Sequence, residues 1–160
     1  GIVQEWVEGT VDLGVFPPTE VPQGWVAVVD AQTADGPVVV AHRTDEPTLR
    51  MILFDAVSNN ADRKGGHLLR TSEGLYGIDH GVTFHTEPKL RTVLWGLAGE
   101  AIPAALLDQL HKALPAFDAL DDWLSVEEVR ECRVRAESLL SDATFPQPSG
   151  DWPALPWPLI

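Results

Sequence analysis

Two hydrophobic periods divide this chain. Leu49, Ile52, Leu53, Ala56 and Val57 recur at i, i+3, i+4, i+7 and i+8, the spacing of one buried helix face. Thr44 or Asp45 can cap that helix, Pro47 fits its first turn, and Ser58-Asn59-Asn60 should stop it, because short polar side chains compete with the backbone ladder. A second helix is expected over residues 104–113, with Leu106, Leu107, Leu110 and Leu114 apolar and Pro115 ending it. Ser125-Val126-Glu127-Glu128 is a capping box, and Val126, Val129, Cys132, Ala136, Leu139 and Leu140 trace the buried stripe of a last helix. A short helix is expected over residues 89–95, broken by Gly96, Gly99 and Glu100.

Strand signals fill the first half. Residues 2–7 (IVQEWV) read as a strand, and residues 10–24, with Pro17, Pro18 and Pro22, as an irregular connection. Residues 25–29 and 38–41 are β-branched and apolar, the two arms of a hairpin across Asp35-Gly36 whose loop exceeds the two-residue ideal. A shorter hairpin should start at His67-Leu68-Leu69, turn at residues 71–74 and return over residues 75–78. Five prolines and two tryptophans in residues 145–160 exclude helix or inner strand, so this tail is expected to pack extended across the domain, or else to serve as a ligand for a partner protein.

Composition narrows the function. With 160 residues and 44% apolar content there is one domain with a real core. The 24 acidic against 11 basic residues give a net charge of -13, a field that repels nucleic acid and anionic lipid. One cysteine, Cys132, excludes an internal disulfide and fits a reducing, cytoplasmic setting; its place in the apolar stripe reads as core. No apolar run approaches the ~18 residues of a membrane span. The chain opens at Gly1 within a strand, without a methionine, which suggests a piece of something longer.

Chemistry concentrates between residues 59 and 81. Asp62, His67 and Asp79 fall on a polar glycine-flanked loop and at the end of a short strand. A D-x-x-x-x-(N/H) loop, two apolar strands around a turn, and then D-x-G is a layout suited to phosphoryl transfer, in which one carboxylate meets the attacking hydroxyl and further ligands hold the phosphate-bridging metal. Solvated turn aspartates are the plainer reading of either residue alone. A zinc hydrolase built from His67, Asp79, His80 and His85 is a rival, although in a strand His80 falls on the face opposite Asp79 and no histidine pair has the i, i+4 spacing of a metalloprotease. Ser58, Ser72 and Cys132 lack triad logic.

Asn60-Ala61-Asp62-Arg63-Lys64-Gly65-Gly66-His67, paired with Ile78-Asp79-His80-Gly81, resembles the catalytic loop (D-R-x-x-x-N) and metal-binding D-x-G of phosphoinositide 3-/4-kinase-like enzymes. It looks closest to type II phosphatidylinositol 4-kinases and their uncharacterised bacterial relatives. Val3 to Gly9 is similar to the interlobe hinge of that family, and hinge, loop and D-x-G occur in the family's order across residues 2–85. The resemblance implies an α+β fold: a protein-kinase-like C-lobe, mainly helical, with a catalytic β-hairpin and a hinge strand. It divides the chain into a hinge (residues 1–9), a lobe (10–144) and a Pro/Trp-rich tail (145–160). It implies Asp62 as the aspartate that orients or deprotonates the acceptor hydroxyl, with Arg63 and Lys64 able to meet the transferred phosphate; the plainer reading of both bases is a solvated loop tip. Asp79 and His67 would hold the metal, Ile78 would line the adenine pocket, and the backbone at Trp6 and Val7 would pair with the base. ATP and Mg2+ are the implied cofactors. His67 stands where the family has an oxygen ligand, which suits Mn2+ better. The phosphate acceptor is open among small molecule, protein and lipid. No phosphate-covering loop or phosphate-gripping lysine is found in this chain, so the expectation is a C-lobe whose N-lobe lies elsewhere, or a pseudokinase-like nucleotide-binding or interaction module.

Overall fold

In the computed structural model, which describes residues 6–160, the chain is mixed α+β, with two small antiparallel sheets and three α-helices. Two short strands come first, β1 (Thr10–Val11) and β2 (Gly14–Phe16), within the stretch expected to be irregular. They form because each finds a ladder partner far along the chain, which local proline content does not reveal.

The expected hairpin exists and is longer than expected. Strands β3 (Trp25–Thr33) and β4 (Gly36–Arg43) leave only Ala34 and Asp35 between them. Gly36, at φ 130, leaves that tight turn in a conformation that favours glycine. Polar Gln32 and Thr33 pair normally, so the ladder outruns the apolar arms. The order in this sheet is β2-β4-β3.

Helix α1 (Glu46–Ser58) starts at Asp45, whose Oδ1 accepts from the Thr48 amide at 3.2 Å and the Thr48 hydroxyl at 2.7 Å. It stops at Asn59, in the left-handed region at φ 54. Ile52, Leu53 and Ala56 are buried, and Leu49 and Val57 pack against the core they join. Each fully buried aliphatic side chain of this kind is worth about 1.5–3 kcal/mol.

The second hairpin pairs β5 (Leu68–Arg70) with β6 (Leu75–Gly77), and β1 completes its sheet in the order β1-β5-β6. A 3-10 turn, Gly65–His67, leads into it. Between β1 and β2, buried Asp12 joins the two sheets. Its amide donates to the Leu68 carbonyl at 2.9 Å, and its carboxylate takes Arg43 at 2.9 Å and Arg70 at 2.6 Å.

Residues 89–95 do not form the expected helix. The Arg91 amide donates to Asn60 O at 2.9 Å, Arg63 N to Arg91 O at 3.0 Å, and Val93 N to Arg63 O at 3.0 Å. This extended stretch therefore makes a parallel bridge to the polar loop, Arg63 opposite Thr92, and only Trp95–Leu97 turns, as a 3-10 helix. Long-range pairing overrides the local helical pattern.

Helix α2 (Ala104–Ala113) has the expected bounds, but Pro115 does not end the helical path, which continues as a 3-10 segment, Leu114–Asp122. Proline is tolerated there because the first turn needs no N–H from it. The capping box starts helix α3 (Val126–Asp142), with Glu128 N donating to Ser125 Oγ at 3.3 Å and Ser125 N to Glu128 Oε2 at 2.8 Å. Val129, Cys132, Ala136 and Leu139 are buried, whereas Val126, in the first turn beside the cap, is exposed. Burial pushes the Cys132 thiol up. The tail lies across the molecule without helix or strand, with Phe145 and Pro156 buried. No helix among the described residues is long and apolar enough to cross a membrane. The expected N-terminal strand falls mostly outside the described residues, and Trp6 and Val7 lie in no strand.

Candidate functional site

The polar loop is anchored by a buried ion pair. Arg63 is fully enclosed, with Nε 2.9 Å from Asp55 Oδ2 and Nη2 2.8 Å from Asp55 Oδ1. Asp55 sits on α1 with the core-facing residues. Burial pushes its carboxyl up, and the Arg63 guanidinium and Asn60 amide oppose that push. Arg63 Nη1 donates to Ile78 O at 3.0 Å and to His67 O at 3.4 Å. One guanidinium thus ties α1 to both ends of the β5–β6 hairpin, beside the two residues expected to hold metal. The expectation that Arg63 meets phosphate is corrected by this burial: it is neither a phosphate contact nor a solvated loop tip, and its work is positional.

Asn60 reinforces the same knot. Its Nδ2 donates to Asp55 Oδ1 at 3.1 Å, and its Oδ1 accepts from the Asp62 amide at 3.0 Å, an Asx turn that ties the backbone of Asp62 to the knot. Asn59 holds the far side, donating to the His85 and Glu87 carbonyls at 2.8 and 2.7 Å and accepting from the Lys89 amide at 2.9 Å.

Asp62 is only partly exposed and meets two cations. Lys64 Nζ is 3.0 Å from its Oδ2, and Arg91 Nη2 is 3.2 Å from its Oδ1. Arg91 was missed in the sequence because residues 89–95 read as a helix; β-branched Thr92-Val93 after Pro88 is the signal for the extended conformation that brings it here.

At the open end of the hairpin, where β5 begins and β6 ends, His67 Nε2 lies 3.6 Å from Asp79 Oδ2, so these two expected metal ligands do come together. Asp79 adopts φ 54, uncommon for a non-glycine residue, and its side chain is 68% exposed, whereas the His67 side chain is 15% exposed and its Nδ1 is buried without a hydrogen-bond partner. A carboxylate held in the left-handed region yet left open is a feature that clusters at ligand sites. Ile78 spends its backbone inside the knot, its amide on His67 O at 2.9 Å and its carbonyl on Arg63.

His80 belongs to the scaffold. Its Nδ1 lies 3.2 Å from Arg63 Nη2 and its Nε2 3.0 Å from Gly77 O, which fixes Nε2 as the donor and Nδ1 as the acceptor. His85 is likewise engaged, its Nδ1 accepting from the Glu87 amide at 3.0 Å. Among the described residues no group of three or more His, Cys, Asp or Glu side chains is placed to hold a metal, so the rival zinc set does not assemble.

Trp6 and Val7 border a cleft of about 370 Å3 with Thr71, Ser72, Glu73 and Tyr76, over the β5–β6 turn; Ile78 is not on its wall. A larger cavity of about 540 Å3 lies between α3, Pro88, Trp95 and Phe145, and none of the expected site residues lines it.

No family model matches the chain, and no solved structure matches it. Among curated proteins it is similar to Protein Rv2133c of Mycobacterium tuberculosis, 39% identical over 177 aligned positions that cover 99% of this chain. The chain spans 63% of that relative's length.

Proposed function

We propose that the intact protein is an ATP-dependent phosphotransferase of the phosphoinositide 3-/4-kinase-like type, and that this chain is its C-lobe. The observation that carries the reading is the buried Asp55–Arg63 knot, which anchors both the Asp62 loop and the His67–Asp79 pair at the open end of one hairpin. That is the division of labour phosphoryl transfer requires. Asp62 accepts the proton of the acceptor hydroxyl as its oxygen bonds to the γ-phosphorus, and the bond to the β–γ bridging oxygen breaks with its electron pair leaving on ADP. Asp79 and His67 offer one oxygen and one nitrogen donor, a pair that fits a divalent ion whose remaining ligands are phosphates and water, with Mn2+ suited better than Mg2+ by the imidazole. Such an ion would neutralise charge on the β- and γ-phosphates. Adenine is assigned to the side of the hairpin where Trp6 and Val7 lie, without the Ile78 wall that the resemblance implies. The phosphate-covering loop and gripping lysine are assigned to the part of the intact protein outside this chain. The acceptor is a small-molecule or protein alcohol in preference to a lipid headgroup, because the charge of -13 repels an anionic surface; the setting is cytoplasmic and nucleic acid is not a partner.

The test is phosphotransfer by the full-length natural protein with ATP and Mg2+ or Mn2+. Asp62→Asn should lower kcat by about 10²–10⁴-fold with nucleotide affinity retained. Turnover that is indifferent to Asp62 would remove it from the chemistry. A second reading, a pseudokinase-like nucleotide-binding module, is favoured by one observation, the engagement of Asp62 by two cations; nucleotide binding without turnover in the full-length protein would select it.

A further inference from the structure

The burial of Arg63 leaves the transferred phosphate one cation short of what the sequence promised, and Arg91 stands where that cation is needed. Its Nε donates to Ala61 O at 2.8 Å and its Nη2 to Asp62 Oδ1 at 3.2 Å. Nη1 and the second hydrogen of Nη2 take no hydrogen bond among the described residues. Its backbone is stitched to the loop on both sides, through Asn60 O and Arg63 N, so the guanidinium is carried on a fixed support. Lys64, on the other flank of Asp62, has one ion-pair partner among the described residues for its three N–H donors. The side chains of Arg91 and Lys64 are 28% and 23% exposed, open enough to meet a ligand.

We infer that Arg91, with Lys64, forms the binding site for the γ-phosphoryl group. The inference rests on the phosphotransfer reading and deepens it. An acceptor oxygen that gives its proton to Asp62 must stand about 3–3.5 Å from the γ-phosphorus, so the phosphoryl oxygens come within reach of whatever flanks Asp62. Arginine meets phosphate through paired N–H donors, and the unused edge of Arg91 supplies them. Before nucleotide arrives, the two cations hold the Asp62 carboxylate. When phosphoryl oxygens compete for them, the carboxylate is released to take the proton. Arg91 lies outside the loop motif that carries the family resemblance, about thirty residues beyond Asp62.

The experiment compares the affinities of a non-hydrolysable ATP analogue and of ADP for the full-length natural protein, with Mn2+ present, in wild type, Arg91→Met, Arg91→Lys and Lys64→Met. ADP lacks the γ-phosphate, so a residue that binds that group must discriminate between the two. Arg91→Met should weaken the ATP analogue about 10- to 100-fold and leave ADP within about threefold, the loss expected for a hydrogen bond to a charged group. Arg91→Lys, keeping charge without the fork, should lose less. If Arg91→Met does not fold, Arg91→Lys and Lys64→Met test the same selectivity, each weakening the ATP analogue more than ADP. Equal loss of both nucleotides, or of neither, overturns the role of Arg91 while nucleotide binding stands. A wild type that binds neither nucleotide overturns the phosphotransfer reading, and this inference with it.

Discussion

Replacing Arg63 with methionine removes the charge that answers a buried carboxylate and leaves Asp55 with the Asn60 amide. Asp55 and Arg63 are both enclosed, and the guanidinium also carries the Ile78 and His67 carbonyls. Breaking one side of such a pair costs about 3–5 kcal/mol, whereas an exposed loop-tip arginine costs less than about 0.5 kcal/mol. The two accounts of Arg63 therefore differ by several kcal/mol, well outside the error of urea unfolding. Arg63→Met, Asp55→Leu and the double variant complete a cycle. The double variant should be more stable than the sum of the single losses predicts, because no uncompensated charge remains. In Arg63→Met only the Asn60 amide and the charge of His80 are left to oppose the upward push of burial on Asp55, so its folded pKa, already raised, climbs further above the unfolded value. The folded variant then binds a proton that the unfolded chain releases, and the penalty should shrink as pH falls through that raised value toward the ordinary carboxylate range. A cost below about 1 kcal/mol for Arg63→Met, or strictly additive variants, would refute the buried knot.

Other consequences follow from neighbouring contacts. His42 is enclosed, its Nε2 accepting from the Gly96 amide at 3.0 Å, and burial lowers its pKa below 6.5. It stays neutral in the fold while the unfolded chain takes a proton, so stability should hold above pH 6.5 and fall below it, and His42→Gln should flatten that dependence in chemical unfolding at stepped pH. A Cβ at Gly96 would come 2.5 Å from Val26 Cγ1 and 3.1 Å from Ala27 O, so Gly96→Ala should destabilise by about 1–3 kcal/mol in the same assay. The tail closes over the site's support, with Gly65 N on Leu159 O at 2.7 Å and Thr92 N on Ala154 O at 3.1 Å. Deleting residues 152–160 should expose both amides to hydrogen exchange ahead of the α1 amides, and unchanged protection would show that the tail holds nothing.

What could be read from the chain was what local pattern encodes. The α1 stripe, its Asp45 cap and Asn59 stop, the bounds of α2 and the Ser125 capping box all depend on residues within a turn or two of each other. The β1 and β2 strands, the bridge of Arg63 to Thr92 and the place of Arg91 depend on partners far along the chain, and no local period announces them. Arg63 illustrates the chemical side of the same limit. A base between Asp62 and Lys64 in a glycine-rich loop reads as solvated, and only its pairing with Asp55 reverses that. A hint was present: Thr48, Ile52, Asp55 and Ser58 repeat at helical spacing and all are buried, so a carboxylate inside that row calls for a buried cation nearby. The proximity of His67 and Asp79 was legible because their spacing follows the hairpin that carries them.

The most direct test of the phosphotransfer account is equilibrium binding of an ATP analogue to the full-length natural protein, titrated with Mg2+ and Mn2+, in wild type and Asp79→Asn. Thermal unfolding of both should first show that the exposed Asp79 side chain can be changed without loss of the fold. The account predicts metal-dependent binding in the wild type, stronger with Mn2+ than with Mg2+, and its loss in Asp79→Asn. Binding that is absent in the wild type, or equal in the two proteins, would contradict it.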